Sequence, residues 1–165
     1  TELKPVLSHA DVSEVLGILK TKKLLTWNGA FDLGFMYRQL NCDLIDALHA
    51  DVMLLKHTTN ENDFTYALKD SAAQEFGAAA KNEQDDLKAY LADKGYEKGH
   101  LYKGDPQILA KYAIQDAILT YSLYNVYTQR AQRDKVVELF YGEVMPLYKH
   151  VTIPMELFGV AVDVP

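Results

Sequence analysis

Apolar positions recur at helical spacing along most of this chain. Val12, Val15, Leu16 and Leu19 form a stripe at i, i+3, i+4 and i+7, which predicts a helix from about Asp11 to Lys20, with Ser8 or Asp11 as its start signal. The short apolar run from Leu24 to Trp27 reads as a strand. A helix to about Leu40 follows, with Leu33, Met36, Tyr37 and Leu40 on one side and Phe31 and Phe35 on the other. Apolar on two faces, it is expected to lie buried between layers. The next segment reads as extended near Leu44 and Ile45, then as a helix begun at Asp51. A helix from Ala67 to Phe76 should end at the glycine Gly77. Residues 78–104 are polar and punctuated by glycine, a surface excursion with a short helix around Asp85 to Asp93. Pro106, just after the capping candidate Asp105, opens the longest helix, to about Arg130. Beyond it come one or two helices interrupted at Pro146 and Pro154 and ended at Gly159, then an alternating strand, "VAVDV". The pattern is α/β and helix-rich, with a small parallel sheet flanked by helices. Two strands cannot cover so many helices, so part of the sheet is expected to lie outside this sequence.

Composition narrows the class. An apolar fraction of 48% with 24% charged residues is that of an ordinary globular protein, and the 165 residues suffice for one core. No apolar run approaches the ~18 residues that cross a bilayer, so no membrane partner is expected. A single cysteine, Cys42, excludes an internal disulfide framework and fits a reducing, cytoplasmic compartment. The net charge of −6 excludes duplex binding by blanket phosphate neutralisation, but not a metal-dependent nuclease, whose site is itself acidic. The basic clusters Lys20 to Lys23 and Arg130 with Arg133 read as solvated helix ends.

Two carboxylates stand where the pattern asks for apolar residues. Asp116 shares a sector of about 80° on the long helix with Leu109, Tyr112, Leu119 and Leu123. Burial there raises a carboxylate's pKa unless a cation or hydrogen bonds favour its charged form, so a partner should face it. Tyr112, one turn back, can reach the same space. Asp32 stands between Phe31 and Phe35 just past the carboxyl end of the first strand, where open α/β sheets place ligands. Each has a plain structural reading: a buried hydrogen bond for Asp116, a first-turn acid for Asp32, an N-cap for Asn28. Together they make a metal site plausible.

The stretches "NGAFD" (residues 28–32) and "YAIQD" (residues 112–116) match N-x-x-F-D and Y-x-x-x-D, the second and third motifs of DEDD-type 3′→5′ exonucleases in the tyrosine form. In this order, with "DVMLL" and "YALKDSAAQEFG" between them, the chain resembles the proofreading domain of family A DNA polymerases, the DNA polymerase I type. The tail "YGEVMPLYKHVTIPMELFGVAVD" is similar to their passage from exonuclease to polymerase thumb, which ribonuclease D relatives lack. The resemblance implies a ribonuclease-H-like exonuclease fold, with residues 1–134 as a partial exonuclease domain and 135–165 as the connection to and start of the thumb. It implies Asp32, Tyr112 and Asp116 as catalytic residues, with Asp32 and Asp116 holding two Mg²⁺ (or Mn²⁺) ions. It further implies Asn28 and Phe31 on the substrate, a single-stranded DNA 3′ end, and a polymerase domain in the same parent chain. The family's first motif, D-x-E, is absent, so the fold is expected to be truncated at its N-terminus and the fragment alone to be nearly inactive. Trp27 stands where relatives often carry histidine. A non-catalytic exonuclease-like scaffold and a ribonuclease D-like RNA exonuclease are the alternatives.

Overall fold

A computed structural model describes residues 8–159 and 161. The chain is α/β and helix-rich, with one two-stranded parallel sheet among the described residues. It divides into two compact units, one of Phe64–Leu123 with the residues up to Val12, the other of Ser13–Asp63 with Tyr124 onward. No described helix is long and apolar enough to cross a membrane.

The second unit contains the sheet. Helix α1 (His9–Lys20) leads into it, begun by a reciprocal cap in which the Ser8 N–H and hydroxyl donate to Asp11 and the Asp11 N–H donates to Ser8 Oγ. Strand β1 (Leu24–Thr26) is followed by helix α2 (Gly29–Leu40) and then by strand β2 (Leu48–Asp51), so α2 is the crossover that parallel pairing requires. Leu24 pairs with Leu48 and Thr26 with Asp51, with an irregularity after Leu24. The strand begins at Leu48 rather than near Ile45, because residues 45–47 turn: the Ala47 and Leu48 N–H groups donate to the carbonyls of Leu44 and Ile45. Helix α3 (Val52–Thr59) starts directly after Asp51, as the capping signal predicts.

Val137 to Phe158 is helical throughout. Short α segments α7 (Val137–Leu139), α8 (Met145–Leu147) and α9 (Ile153–Phe158) alternate with π-helical turns over Phe140–Val144 and Tyr148–Thr152. Pro146 and Pro154 explain the wide turns, since each withholds the N–H that an α-helical bond to the preceding turn needs. The prolines therefore widen the helix instead of interrupting it. Phe140, Met145 and Ile153 are buried here with Tyr127, Leu55 and Val52. Gly159, at φ 71°, ends the helix. The alternating strand expected after it lies, save Ala161, outside the described residues.

In the first unit, helix α4 (Leu68–Phe76) ends at Gly77, whose φ of 91° a side chain would strain. A 3₁₀ turn (Ala78–Lys81) passes into helix α5 (Asn82–Lys94), longer by a few residues than the sequence pattern predicts. Helix α6 (Pro106–Arg133) is capped by Asp105, whose carboxylate accepts from the Gln107 N–H at 2.8 Å.

One expectation is corrected. Helix α2 is not sandwiched between layers: Phe31 is 72% and Phe35 52% exposed, and Tyr37 and Leu40 are also exposed. Only Gly29, Leu33 and Gly34 are buried along it. The second apolar face has no layer over it among the described residues, and it instead walls a cleft of about 270 Å³ shared with Glu156 and Leu157.

Candidate functional site

The candidate residues form two groups, one in each unit, and each is described in its own frame. At the carboxyl ends of β1 and β2, Asp51 organises the start of α2. Its carboxylate is fully buried. Oδ1 accepts from the Met53 and Leu54 N–H groups at 3.0 and 3.2 Å, capping α3. Oδ2 accepts from the Gly29 N–H at 2.5 Å, Thr26 Oγ1 at 3.2 Å and the Tyr148 hydroxyl at 3.3 Å. Tyr148 in turn accepts from the Ala30 N–H at 2.7 Å. One buried anion thus satisfies the orphan N–H groups of two helix starts, which their dipoles favour. Burial and the Asp51 charge push the Tyr148 hydroxyl well above its ordinary pKa, so it stays a neutral donor.

This packing dictates the turn "NGA". A Cβ on Gly29 would stand 2.3 Å from Thr26 Oγ1 and 3.2 Å from Asp51 Oδ2, so only glycine fits. The close approach is to Asp51 and Thr26. Asn28 takes the left-handed conformation, φ 64°, which asparagine tolerates best among residues with a side chain. It does not act as an N-cap: its side chain makes no capping bond and stands exposed. Asp51 has taken that task, which leaves the Asn28 amide available.

Asp32 follows in the first turn of α2, its carboxylate exposed and without an ion-pair partner among the described residues. Partial desolvation, and then the negative charge of Asp51, hold its pKa above the usual carboxylate range. A carboxyl whose folded pKa is raised costs stability where it is ionised. The cost is full above the folded pKa, fades as pH falls through it, and vanishes below the unfolded value. Asp32→Asn is therefore expected to raise the urea midpoint modestly at pH 7, since water screens the exposed group, with the advantage disappearing toward pH 3. An Asn variant equal to or less stable than wild type at pH 7 would contradict this.

In the other unit, α6 brings Tyr112 and Asp116 together one turn apart. Burial, and then the charge of Asp116, raise the Tyr112 pKa. The partner that the sequence demands for Asp116 is Lys69 of α4, at 2.7 Å, with the lysine side chain 5% and the carboxylate 30% exposed. Lys69 Nζ also lies 5.0 Å from the centre of the Tyr112 ring, a cation–π distance. Tyr112 further walls a cleft of about 180 Å³ with Leu87, Tyr90 and Lys111. Leu119 and Leu123 continue the same face of α6 into the core.

Lys69 was not singled out by the sequence reading. A signal existed: Lys69 stands three residues before the fully buried Ala72, a cation in an apolar stripe that mirrors the anion in the stripe of α6. Asp51 was read only as a helix start, and its second role depends on Thr26, Gly29 and Tyr148 arriving from distant positions.

Asp32 and Asp116 thus stand in different units, each with oxygen atoms suited to a hard divalent cation. Within either unit, no three His, Cys, Asp or Glu side chains gather into a metal-binding group among the described residues. Compared with known proteins, the chain matches no family model, no curated protein and no solved structure.

Proposed function

We propose that this chain is the greater part of a 3′→5′ exonuclease domain of ribonuclease-H-like fold, belonging to a family A DNA polymerase. It would hydrolyse phosphodiesters at a single-stranded DNA 3′ end with Mg²⁺ or Mn²⁺. In this reading residues 1–134 belong to the exonuclease and 135–165 lead into the polymerase thumb. The observation that carries it is that the two defining residues of "YAIQD" share one surrounding: Lys69 Nζ lies 2.7 Å from the Asp116 carboxylate and 5.0 Å from the centre of the Tyr112 ring.

The donors fit hard cations. Asp32 and Asp51 repel one another at the start of α2, a tension that a cation beside Asp32 relieves. Bound there and at Asp116, divalent ions would supply positive charge to the phosphodiester and lower the pKa of the attacking water. The chain's own residues do the rest. Tyr112, its pKa raised above an already high ordinary value, stays protonated and orients water by hydrogen bonding. Lys69 pairs with Asp116 and holds the carboxylate in place. The free Asn28 amide can bond the substrate backbone. Phe31, exposed on the open face of α2, offers a base-stacking surface indifferent to sequence.

One observation favours a second reading, the non-catalytic scaffold. Lys69 already neutralises Asp116, as expected if that aspartate serves only as a counter-ion. The parent polymerase decides between them, assayed on 5′-labelled DNA and RNA strands of one sequence. We expect DNA to be shortened from its 3′ end in Mg²⁺ and the reaction to stop on chelation. Intact DNA in both Mg²⁺ and Mn²⁺ would establish the scaffold, and preferential shortening of RNA a ribonuclease D-like trimmer.

A further inference from the structure

The basic run Lys20 to Lys23 reads in sequence as a solvated helix end, yet in the folded unit it is one wall of a cleft of about 500 Å³. The opposite wall comes from the π turn Tyr148–Thr152, which contributes Lys149 and His150, and His49 of β2 also lines the cleft. β1 runs from Leu24 to Thr26, so the run ahead of Leu24 marks the amino end of the strand, whereas Asn28 and Asp32 follow its carboxyl end. The basic run and the Asn28–Asp32 turn therefore stand at opposite ends of β1.

We propose that this cleft is a binding site for a phosphate-bearing ligand of nucleotide size. Four lysines, Lys20, Lys22, Lys23 and Lys149, converge on it, and none is ion-paired among the described residues. In a chain of net charge −6 such a concentration of unpaired cations runs against the average. Asp46 is the one carboxylate lining the cleft, too little to balance them. Lys149 is also held in position: its ammonium donates to the carbonyls of Leu48 at 3.2 Å and Asp46 at 3.4 Å, leaving a third donor for a ligand. Such a bound ammonium is ordered in advance, which lowers the entropic cost of ligand binding.

His49 reports the field inside the cleft. Its Nε2 lies 3.2 Å from the Tyr124 hydroxyl and 3.4 Å from that of Tyr141, and its ring stacks on Tyr141 with centres 5.3 Å apart. Burial, Lys23 and Lys149 together hold its pKa below the ordinary histidine value. An anion bound among the lysines would offset their charge and move that pKa upward. The groups facing His49 are Lys23, Lys149, Tyr124 and Tyr141, with Lys20, Lys22, Asp46 and His150 also lining the cleft, so an upward shift on ligand addition localises the charge here.

The test uses the 165-residue chain with EDTA present, so that no divalent ion contributes. Binding of inorganic tripolyphosphate is followed by calorimetry, that of a fluorescein-labelled oligothymidylate by anisotropy, and the His49 pKa by NMR with tripolyphosphate present and absent. Three double variants are compared: Lys23→Gln/Lys149→Gln, Lys22→Gln/Lys23→Gln, and Lys88→Gln/Lys94→Gln, whose lysines belong to α5 and do not line the cleft. We expect tripolyphosphate to bind, the His49 pKa to rise, and both cleft variants to lose about tenfold in affinity at low salt while the α5 variant loses less than about twofold. Among the described residues the Lys22 and Lys23 side chains make no hydrogen bond to lose, so that pair serves if the Lys149 change lowers the unfolding midpoint. If the oligonucleotide competes with tripolyphosphate and loses affinity in the same variants, the source is a phosphodiester backbone. If only tripolyphosphate binds, it is a free nucleotide polyphosphate. No binding by wild type, equal loss in the α5 variant, or an unmoved His49 would overturn the proposal.

Discussion

Asp51→Ala is expected to lower stability by about 3–5 kcal/mol, enough to unfold much of a protein whose total stability is about 5–15 kcal/mol. The size follows from what the side chain satisfies. The variant leaves the N–H groups of Gly29, Met53 and Leu54 and the hydroxyls of Thr26 and Tyr148 without their acceptor, at buried and part-buried positions. Each unmet buried donor costs about 1–3 kcal/mol, partly recovered by relaxation of the helix starts. Tyr148→Phe removes one hydroxyl, with its bond to Asp51 and the one it accepts from the Ala30 N–H, and should cost about 1–2 kcal/mol. Urea unfolding followed by circular dichroism checks both, with the Asp51 midpoint falling roughly 2 M. Equal midpoints for Asp51→Ala and wild type would show that the hub does not hold the two helix starts. The same network links the tail to the candidate site, because Tyr148 steadies the turn from which Asp32 projects.

The second large effect concerns Asp116. In the parent polymerase of the proposed function, Asp116→Asn is expected to reduce 3′→5′ hydrolysis by at least about a thousandfold, since it removes the negative charge proposed to hold a divalent cation at the reacting phosphodiester. In the 165-residue chain the same change strands Lys69, whose ammonium is buried, and should cost about 2 kcal/mol, less than a fully buried pair because water reaches Asp116. Asp116→Asn/Lys69→Met removes the stranded charge and should recover that stability without recovering hydrolysis. The two effects then separate. If Asp116 were only a counter-ion, the parent's hydrolysis would survive in the stability-corrected double variant.

Helix positions were legible in the sequence wherever a local signal sets them. Asp105 with Pro106 fixes the start of α6 and Asp51 the start of α3, because caps act within a few residues. What stayed illegible depends on distant partners. The exposed Phe31 and Phe35 look like core residues from periodicity alone, since a stripe tells which residues share a face and not whether anything covers it. Asp116 announced that it needed a partner, but Lys69 comes from another helix, and spacing along α6 cannot name it. Similarly, "NGA" signals a tight turn, while the reason for glycine, the approach of Thr26 and Asp51, exists only once β1 and β2 have paired. The lysines before β1 look like a solvated end until Lys149 faces them.

The central proposal is that Asp32 and Asp116 each bind a divalent cation. Mn²⁺ added in small steps to the isotopically labelled 165-residue chain tests it directly, because the ion broadens NMR signals only in its neighbourhood. The expected result is that the amide signals of Leu33 and Gly34 fade in wild type and persist in Asp32→Asn, and that those of Ala117 and Thr120 fade in wild type and persist in Asp116→Asn. Signals that persist in wild type, or that fade equally in the matching variant, would show acids that hold no cation and contradict it.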